Sequence, residues 1–430
     1  MMELAGKKLL VLGGTNASVD LVKQAKRYGV YVIIADREPP EVGKAKKLAD
    51  EVYQIDCTDV DGLCALIREK QIDGVFSGPS EFNLVNARKV CEAAGLPFYC
   101  TAEQWESCAN KVKFKALCRK FGVPCVPEYH ITTELREEDL KAVRYPVIVK
   151  PVDSCSSIGI IVCRNEEELK KAVPQSAAAS PTGSFIVEKL IRNDYGFGCR
   201  YIISEGKLIL AGVNDYYPVD YPGEKAMICG ALVFPTKNAQ RFLETINPCL
   251  IKMFESIGLQ SGALFMQALV DTDGSIYFHD MGLRLCGALI YPMLEVTCGY
   301  SDLKMMIRYA LGGEMATPEE LEKIDPFMHG RYMCCLNIPL KAGTIGKIEG
   351  VDKVRENSAV IDFFQYYEEG ETIDERYIGT LAQLFCRIKM VTDDVDQYRD
   401  LVRMIHDTVK ITDTDGNDMI YRKMDIARIR

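Results

Sequence analysis

A lysine that ends an apolar stretch stands next to a turn of small, hydroxyl-bearing residues. Residues 145–149, YPVIV, are followed by Lys150. The turn after this lysine supplies hydroxyl groups and a glycine at Ser154, Ser156, Ser157 and Gly159. An ammonium group fixed by its strand, beside a loop of hydroxyl and amide donors, is suited to binding phosphate. A strand end followed by a solvated serine turn would leave the same pattern, so both interpretations stay open for this segment alone.

A second apolar run, residues 185–187, ends in the polar pair Glu188 and Lys189 and continues into Leu190 and Ile191. The end of such a strand can offer backbone hydrogen-bonding groups to a purine ring. An ordinary strand end would look the same. The segment is therefore a candidate site for a nucleotide base, with that alternative left open.

Two further apolar runs flank a turn and carry oxygen-bearing side chains. Gln267 lies on the first run and Asp280 on the second, and the turn at residues 271–274 is typical of a β-hairpin. Paired strands would place Gln267 beside Asp280, where their oxygens could hold Mg²⁺ together with water and phosphate. Arg284, shortly after Asp280, could then stabilise negative charge on a transferring phosphoryl group or on an acyl phosphate.

The N-terminal part of the chain alternates short apolar runs with amphipathic stretches. Strands are predicted at 8–12, 30–35, 51–55, 74–77 and from 97 to 99, and helices at 18–28, 41–49, 60–70 and 81–94. This alternation predicts a doubly wound, parallel α/β sheet over residues 1–105. Ligands of such sheets bind at the carboxyl ends of the strands, here near residues 13–16, Asp36 and residues 77–81.

The turn Gly13–Gly14–Thr15–Asn16 closes the first of these strands. Glycines let backbone amides approach a phosphate at the start of a helix, as in dinucleotide-binding proteins. The third glycine of GxGxxG is absent, which favours a structural or substrate-side turn over the nicotinamide site of an oxidoreductase.

Beyond residue 105 the pattern changes from α/β to α+β. A helix is predicted over 102–121, and the strands and helix that follow are expected at 147–149, 160–162, 166–173 and 185–188. Antiparallel strands are expected at 200–204, 207–214, 263–271 and 275–279. Residues 326–430 again mix strands with one long helix, 394–409. The change of pattern indicates more than one domain.

Composition excludes several classes of protein. A formal net charge of -9 and a pI near 5.3 argue against a nucleic-acid surface, which needs a basic patch. No apolar run is long enough to span a membrane, and the N-terminus does not resemble a signal peptide, so we expect a cytoplasmic protein with small-molecule partners. The 17 cysteines lack CxxC spacing and are expected to be reduced core thiols, and the four separated histidines make a histidine-based metal site improbable.

Taken together, the order and spacing of these segments resemble the ATP-grasp superfamily. The closest resemblance is to its carboxylate–amine ligases, a group that includes L-amino-acid ligases, biotin carboxylase and carbamoyl-phosphate synthase. The resemblance covers nearly the whole chain. It implies an N-terminal α/β domain over 1–105, an ATP-grasp domain over 106–325 with a mobile lid over about 123–190, and a small C-terminal α+β domain over 326–430.

The resemblance also implies roles for individual residues. Lys111 and Lys150 correspond to the two phosphate-binding lysines, and residues 153–159 to the loop over the phosphates. Glu188, Lys189, Leu190 and Ile191 correspond to the segment that holds adenine, with Asp194 the nearest candidate for the ribose. Gln267 and Asp280 take the metal positions and Arg284 that of the catalytic arginine, with Lys150 the second catalytic group.

The implied activity is the ATP-dependent ligation of a small carboxylic or amino acid to an amine through an acyl phosphate. The implied cofactors are ATP and Mg²⁺, or Mn²⁺. The implied assembly is a homodimer. At two positions the sequence departs from the residues usual in the family, and both bear on the implied activity. Gln267 stands where the family usually has glutamate, and Asp280–Met281–Gly282 where it has Glu-x-Asn. A nucleotide-binding pseudoenzyme with a degraded metal site, and an ATP-grasp kinase, are therefore the alternative hypotheses.

The acceptor pocket is expected over residues 213–237, where carboxylates, phenols and ammonium groups would suit an amino acid or another small zwitterion. A solvated loop would have a similar composition. The candidates are Asp215, Tyr216, Tyr217, Asp220, Tyr221, Lys225 and Lys237.

Overall fold

The structure is a computed structural model that describes residues 4–152, 159–191, 195–219, 221 and 228–429. Six predicted site residues lie outside the described residues: Ser154, Ser156, Ser157, Asp194, Asp220 and Lys225.

The strands, in chain order, are β1 (Lys8–Leu12), β2 (Tyr31–Asp36), β3 (Glu51–Gln54), β4 (Gly74–Val75), β5 (Glu128–Tyr129), β6 (Val147–Pro151), β7 (Ile161–Cys163), β8 (Phe185–Lys189), β9 (Gly196–Ser204), β10 (Lys207–Pro218), β11 (Cys229–Phe234), β12 (Gly262–Val270), β13 (Ile276–Gly282), β14 (Tyr332–Pro339), β15 (Gly343–Glu349), β16 (Val360–Gln365), β17 (Thr372–Ile373), β18 (Leu384–Thr392) and β19 (Lys410–Asp413).

The α-helices are α1 (Val19–Arg27), α2 (Val60–Lys70), α3 (Glu81–Ala94), α4 (Ala102–Ala109), α5 (Lys111–Phe121), α6 (Glu137–Ala142), α7 (Glu166–Ala178), α8 (Ala239–Thr245), α9 (Asn247–Glu255), α10 (Tyr291–Thr297), α11 (Asp302–Ala310), α12 (Pro318–Glu322), α13 (Val351–Arg355) and α14 (Val395–Thr408). Within the described residues, none of them combines the length and apolar character that a bilayer span requires.

The first sheet is parallel, in the order β3-β2-β1-β4, and confirms the predicted N-terminal α/β unit. Two predicted elements in it are wrong. No helix spans 41–49, because Gly43 adopts a φ of 108° and its backbone lies directly against the carbonyl oxygen of Gly14. Residues 97–99 form no strand, and the Tyr99 hydroxyl instead donates to the Leu283 carbonyl at 2.9 Å.

The predicted helix over 102–121 is two helices, α4 and α5. Asn110 between them is extended, with φ -79° and ψ 114°. Its side-chain oxygen accepts hydrogen bonds from the backbone N–H groups of Val112 and Lys113, at 3.0 and 3.2 Å, and so caps α5. The break places Lys111 at the first turn of a new helix.

The second sheet, in the order β5-β8-β6-β7, is antiparallel and carries Lys150 and Glu188 on neighbouring strands. Lys150 lies opposite Ile186 and Glu188 opposite Ile148. Strands alternate their side chains, so both polar groups project from the same face of this sheet.

An eight-stranded antiparallel sheet forms the centre of the protein, in the order β13-β12-β9-β10-β11-β14-β18-β16. It runs without interruption through the junction between β11 and β14, so hydrogen bonds cross the predicted domain boundary at residue 325. The division into domains 1–105, 106–325 and 326–430 therefore remains a prediction, and the sheet continues across the second of these boundaries. A small sheet, β17-β15-β19, lies at the C-terminal end.

Two apolar cores lie against this central sheet. The larger joins β1 and α1 to the strands β9, β12 and β13, with Leu9 and Phe278 both fully buried. The smaller packs α14 against β14 and β18 through Leu336, Ile388 and Val402. The N-terminal unit and the C-terminal strands are thus fixed to one scaffold by burial of apolar surface.

Arg308 on α11 is fully buried and bonds both carboxylate oxygens of Glu320, at 3.1 and 2.6 Å. Replacing Arg308 by methionine leaves that carboxylate buried without a cation, so we expect the free energy of unfolding to fall by about 3–5 kcal/mol. The measurement is urea denaturation followed by circular dichroism.

The matched control is Glu319→Gln. Glu319 is exposed and pairs only with the exposed Lys323, so its loss should change stability by about 0.5 kcal/mol or less. Equal effects of the two substitutions would contradict a structural role for the buried pair.

Candidate active site

A cleft of about 2170 Å³ lies between the second sheet and the central sheet. Predicted site residues that line it are Lys111, Lys150, Glu188, Leu190, Ile191, Gln267, Asp280 and Arg284. Segments far apart in the chain are therefore brought to one cavity. Gly159 lies beside it, where a side chain would collide with Pro151 and Ala179. Lys189 does not line the cleft itself but pairs at 2.7 Å with Asp271, which does.

The carboxylate of Glu188 is buried between two lysines. Lys150 Nζ lies 2.7 Å from Glu188 Oε2, and Lys115 Nζ bonds Glu188 Oε1. Burial acts to raise the pKa of Glu188, but Lys150 and Lys115 outweigh it and hold that pKa below its usual value. Glu188 is therefore a carboxylate that fixes two ammonium groups at the cleft wall.

Glu188 is the first residue of segment 188–191, which was predicted to bind adenine. The backbone N–H groups of Lys189 and Leu190 donate to the carbonyls of Pro127 and Pro146, at 2.9 and 3.1 Å. The Glu188 carboxylate turns toward the lysines. The base-binding role of residues 188–191 remains a prediction, and the observed role of Glu188 is ionic.

Lys115 was missed by the sequence reasoning. It is only 1% exposed and also lies 2.6 Å from Glu128 Oε1. One signal was present: Lys115 follows Lys111 by one helical turn, so both face the same side of α5.

Gln267 and Asp280 are direct partners across β12 and β13, as predicted. The register shifts just beyond them, and His279 sits in the resulting bulge and lines the cleft. Burial and the nearby Lys150 lower the pKa of His279 to about 3, so the imidazole is neutral. Burial also raises the pKa of Asp280, although Lys111 opposes this shift.

Gly282 marks the position where the family carries an asparagine. Its strand partner is Phe265, and a Cβ atom at Gly282 would lie 2.5 Å from the phenyl ring. The ring therefore fills the space that a larger side chain, such as asparagine, would need at this position. Within the described residues no cluster of three or more histidine, cysteine or acidic side chains could hold a metal ion.

Gln267 and Asp280 nevertheless fit one Mg²⁺. They offer one amide oxygen and one carboxylate on adjacent strands facing the cleft, and Mg²⁺ in phosphate sites commonly takes one or two carboxylates, with waters and phosphates filling the rest.

Arg284 is held in a defined position at the end of β13. Its guanidinium lies 4.9 Å from the centre of the Phe265 ring, and Nε bonds Glu81 Oε1 at 3.1 Å. Nη1 donates to the carbonyl of Leu285 at 3.0 Å. The group is thereby oriented beside Asp280 without being buried in an apolar core.

The Gly13–Gly14 turn is occupied by side chains. The Gly14 N–H donates to Asp36 Oδ2 at 2.5 Å, and the aliphatic stem of Lys46 packs on Gly14. The Asn83 amide group packs on Gly13 and donates to the carbonyl of Leu12 at 2.9 Å. The Gly13 N–H donates to the carbonyl of Ala35, so the amides of both glycines are engaged within the protein, which supports a structural or substrate-side turn over a nicotinamide site.

The predicted acceptor residues divide into two groups. Tyr216, Tyr221 and Lys237 line the cleft. Asp215 and Tyr217 are 1% exposed and do not: Asp215 accepts a hydrogen bond from the Thr236 hydroxyl, and burial raises its pKa to about 6. Strand alternation along β10 explains why adjacent residues face opposite ways.

Two arginines on apolar strands also line the cleft and were not predicted: Arg200 on β9 and Arg387 on β18. Each interrupts a run of apolar residues, GFGCRYIIS and LFCRIKMVT, and that interruption was the available signal. A charge in a buried strand needs a reason, because unpaired burial is costly.

Comparison with known proteins agrees with this geometry. Residues 117–282 match the family described as "D-ala D-ala ligase C-terminus". The chain is 25% identical over 334 residues to the 2-oxoglutarate carboxylase small subunit of Hydrogenobacter thermophilus, covering 73% of this chain and 68% of the relative. The fold matches a crystal structure of L-amino acid ligase from Bacillus licheniformis with a TM-score of 0.76, at 19% identity, over 95% of this chain and 99% of the other.

These matches confirm the predicted resemblance to the ATP-grasp superfamily. A second solved structure, the biotin carboxylase domain dimer of the Hydrogenobacter thermophilus 2-oxoglutarate carboxylase with MgADP, ADP and bicarbonate, matches with a TM-score of 0.74 at 21% identity, over 96% of this chain and 91% of the other. The predicted fold class is confirmed, and so is the predicted enzyme class, an ATP-grasp ligase that forms a carbon–nitrogen bond. The roles of individual ATP-grasp site residues remain predictions.

Replacing Glu188 by glutamine should destabilise the protein by about 3 kcal/mol at pH 7, because two ammonium groups lose their shared buried carboxylate. The folded-state pKa of Glu188 lies below its unfolded value of about 4.3, so its contribution is present above that pH and is lost as the pH falls through the folded-state pKa. The difference between wild type and variant should therefore be constant between about pH 6 and 8 and shrink below about pH 4.

Urea titrations at several pH values measure this difference. Glu128→Gln is the control, since Glu128 contacts the same Lys115 but is partly exposed, and its loss should cost about 1 kcal/mol or less. A Glu188→Gln variant as stable as wild type at pH 7 would show that the buried network does not hold the lysines.

Proposed function

We propose that the protein is an ATP-dependent carboxylate–amine ligase that works through an acyl phosphate. One observation carries the proposal. The Glu188–Lys150–Lys115 network, the Gln267–Asp280 pair and Arg284 line one cleft, although they come from different sheets. Phosphate-binding cations, metal-binding oxygens and a guanidinium are the groups that phosphoryl transfer to a carboxylate requires.

In this proposal Lys111 and Lys150 bind the phosphates of ATP, and Gln267 and Asp280 hold Mg²⁺, which screens the phosphate charge when bound. A carboxylate oxygen of the acid attacks the γ-phosphorus, the bond to the β-phosphate oxygen breaks, and ADP leaves. The amine then attacks the acyl carbon, inorganic phosphate leaves with the carboxylate oxygen, and the amine loses a proton.

In this proposal Arg284 stabilises the negative charge that develops in both steps. Its contacts with Phe265, Glu81 and Leu285 keep the guanidinium in place before substrate arrives. Preorganised donors stabilise a developing oxyanion without reorganising during the reaction. No nucleophilic side chain is needed, since positioning and electrostatics supply the catalysis.

The partners we propose are ATP and a small acid–amine pair. A homodimer in the cytoplasm is the proposed assembly and location, on the precedent of the biotin carboxylase domain dimer.

One observation favours a second candidate, a nucleotide-binding protein without turnover. Phe265 occupies the space beside Gly282 and excludes a larger ligand side chain there. If two protein oxygens hold the metal too weakly, ATP would bind and no ADP would form.

Lys150→Met should lower kcat/KM for ATP by about 10²–10³-fold, because it removes a fixed cation from the transferring phosphate. The measurement is calorimetric ATP binding with and without Mg²⁺, followed by ADP release against panels of acids and amines. Lys113→Met is the control, since Lys113 lies on α5, the helix that carries Lys111 and Lys115, but is exposed and pairs with Glu106.

The ligase proposal requires ADP release that depends on both an acid and an amine. ATP binding that is indifferent to Mg²⁺, with no ADP from any pair, would establish the non-catalytic candidate instead. ADP release without an amine and with a stable phosphorylated product would make the protein a kinase.

A further inference from the structure

Three guanidinium groups hold one short cleft segment, residues 284–287. Arg284 Nη1 donates to the carbonyl of Leu285 at 3.0 Å, and Arg200 Nη2 lies 3.4 Å from Cys286 Sγ. Arg387 Nη1 donates to the carbonyl of Gly287 at 2.6 Å. Successive residues of this segment therefore bring arginines of three different strands or strand ends to one wall of the cleft.

Arg200 is nine-tenths buried, yet it has no acidic partner among the described residues. Its Nη1 bonds Asn214 Oδ1 at 2.5 Å, its plane lies 4.5 Å from the centre of the Phe234 ring, and its buried Nε has no hydrogen-bond partner within the described part of the chain. The thiol of Cys286 is a weak acceptor. A charged group is thus desolvated here without a carboxylate partner among the described residues.

Arg387 has neutral partners as well. Nε bonds Asn337 Oδ1 at 3.2 Å, and Nη1 bonds the Gly287 carbonyl. No ion pair joins Arg387 to any carboxylate of the described residues.

Three other cleft cations are paired with carboxylates, which makes the contrast informative. Lys150 has Glu188, Arg284 has Glu81, and Lys389 has Asp362 at 2.9 Å. Arg200 acts electrostatically on Asp302, and both residues line a side pocket of about 20 Å³, but no ion pair joins them within the described residues. Burial outweighs the lowering effect of Arg200 and raises the pKa of Asp302 to about 6.

Unpaired buried guanidinium groups that face a cavity are suited to a carboxylate, which accepts two N–H donors at once. The cleft already has a separate set of cations for phosphate at Lys111, Lys115 and Lys150. The anion expected beside Arg200 is therefore not the one that ATP supplies.

We propose that Arg200 and Arg387 bind a substrate carboxylate that is distinct from the carboxylate activated by ATP. This inference rests on the proposed function and narrows its substrate class: at least one substrate carries a carboxylate that takes no part in the reaction. Two sources share this chemistry. The group is either the second carboxylate of a dicarboxylic acid or the α-carboxylate of an amino acid that acts as the amine.

The test compares wild type with Arg200→Gln and Arg387→Gln, in binding and in turnover. Calorimetry in the presence of ADP and Mg²⁺ uses matched panels of monocarboxylic acids, dicarboxylic acids, amino acids and simple amines. We expect a dicarboxylic acid or an amino acid to bind wild type, and each variant to lose affinity about tenfold or more. KM for the same compound should rise by the same factor by which its affinity falls, while KM for ATP stays unchanged.

The two panels separate the sources. If the variants lose affinity only for dicarboxylic acids, the site binds the acid substrate. If they lose affinity only for amino acids, the site binds the amine substrate. Arg200→Lys keeps the charge but not the planar pair of donors, and should recover part of the affinity. Arg403→Gln, an exposed arginine on α14, is the control for general loss of an arginine and should bind as wild type does.

Carboxylates that bind both variants as tightly as wild type, or a panel in which no carboxylate binds although MgADP does, would overturn the inference. Binding of inorganic phosphate that depends on Arg200, with no such dependence for carboxylates, would overturn it too. Failure of ATP to bind at all would instead refute the proposed function. Circular dichroism of each variant shows that lost binding is not lost folding.

Discussion

The cost of burying charge governs the arrangement of the cleft. In the proposed function, the cations that bind phosphate must be held in place before the nucleotide arrives. The ammonium groups of Lys115 and Lys150, gathered at one wall, repel each other. Glu188 resolves this conflict, because one buried carboxylate binds both lysines and lies on the strand beside Lys150. The position of β8 against β6, and the break in the helix at Asn110 that starts α5, both serve to place these three side chains.

The same reasoning explains why the central sheet is continuous. Arg284 lies at the end of β13, Arg200 on β9 and Arg387 on β18, so the opposite wall of the cleft depends on strands from both sides of the β11–β14 junction. Separate domains that moved freely could not keep Cys286 and Gly287 between Arg200 and Arg387. The sheet fixes this wall, while the second sheet carries the lysines that face it.

Much of the fold could be predicted because strand alternation and helix caps are local. Strand β1 and helices α2 and α3 were predicted with their observed bounds, and the pairing of Gln267 with Asp280 followed from the turn between their strands. The errors have tertiary causes: the close approach of Gly43 to Gly14, and the bond from Tyr99 to Leu283.

In the site, single residues could be predicted from a resemblance, but their partners could not. Lys115 could be assigned to the site only from its contact with Glu188. Arg200 and Arg387 could be assigned only from their contacts with the same loop. These contacts join segments far apart in the chain, so the sequence does not show them. Gly282 shows the reverse case: its departure from the family pattern was visible, but only the structure shows Phe265 in the vacated space.

The most direct test of acyl phosphate chemistry is oxygen transfer. An acid that supports ADP release is labelled with oxygen-18 in its carboxylate, and the inorganic phosphate formed with the amine is analysed by mass spectrometry. Activation of the carboxylate by ATP predicts one labelled oxygen in each phosphate, because the oxygen that attacks phosphorus leaves with it. Unlabelled phosphate, with all of the label retained in the product or in the acid, would contradict the account.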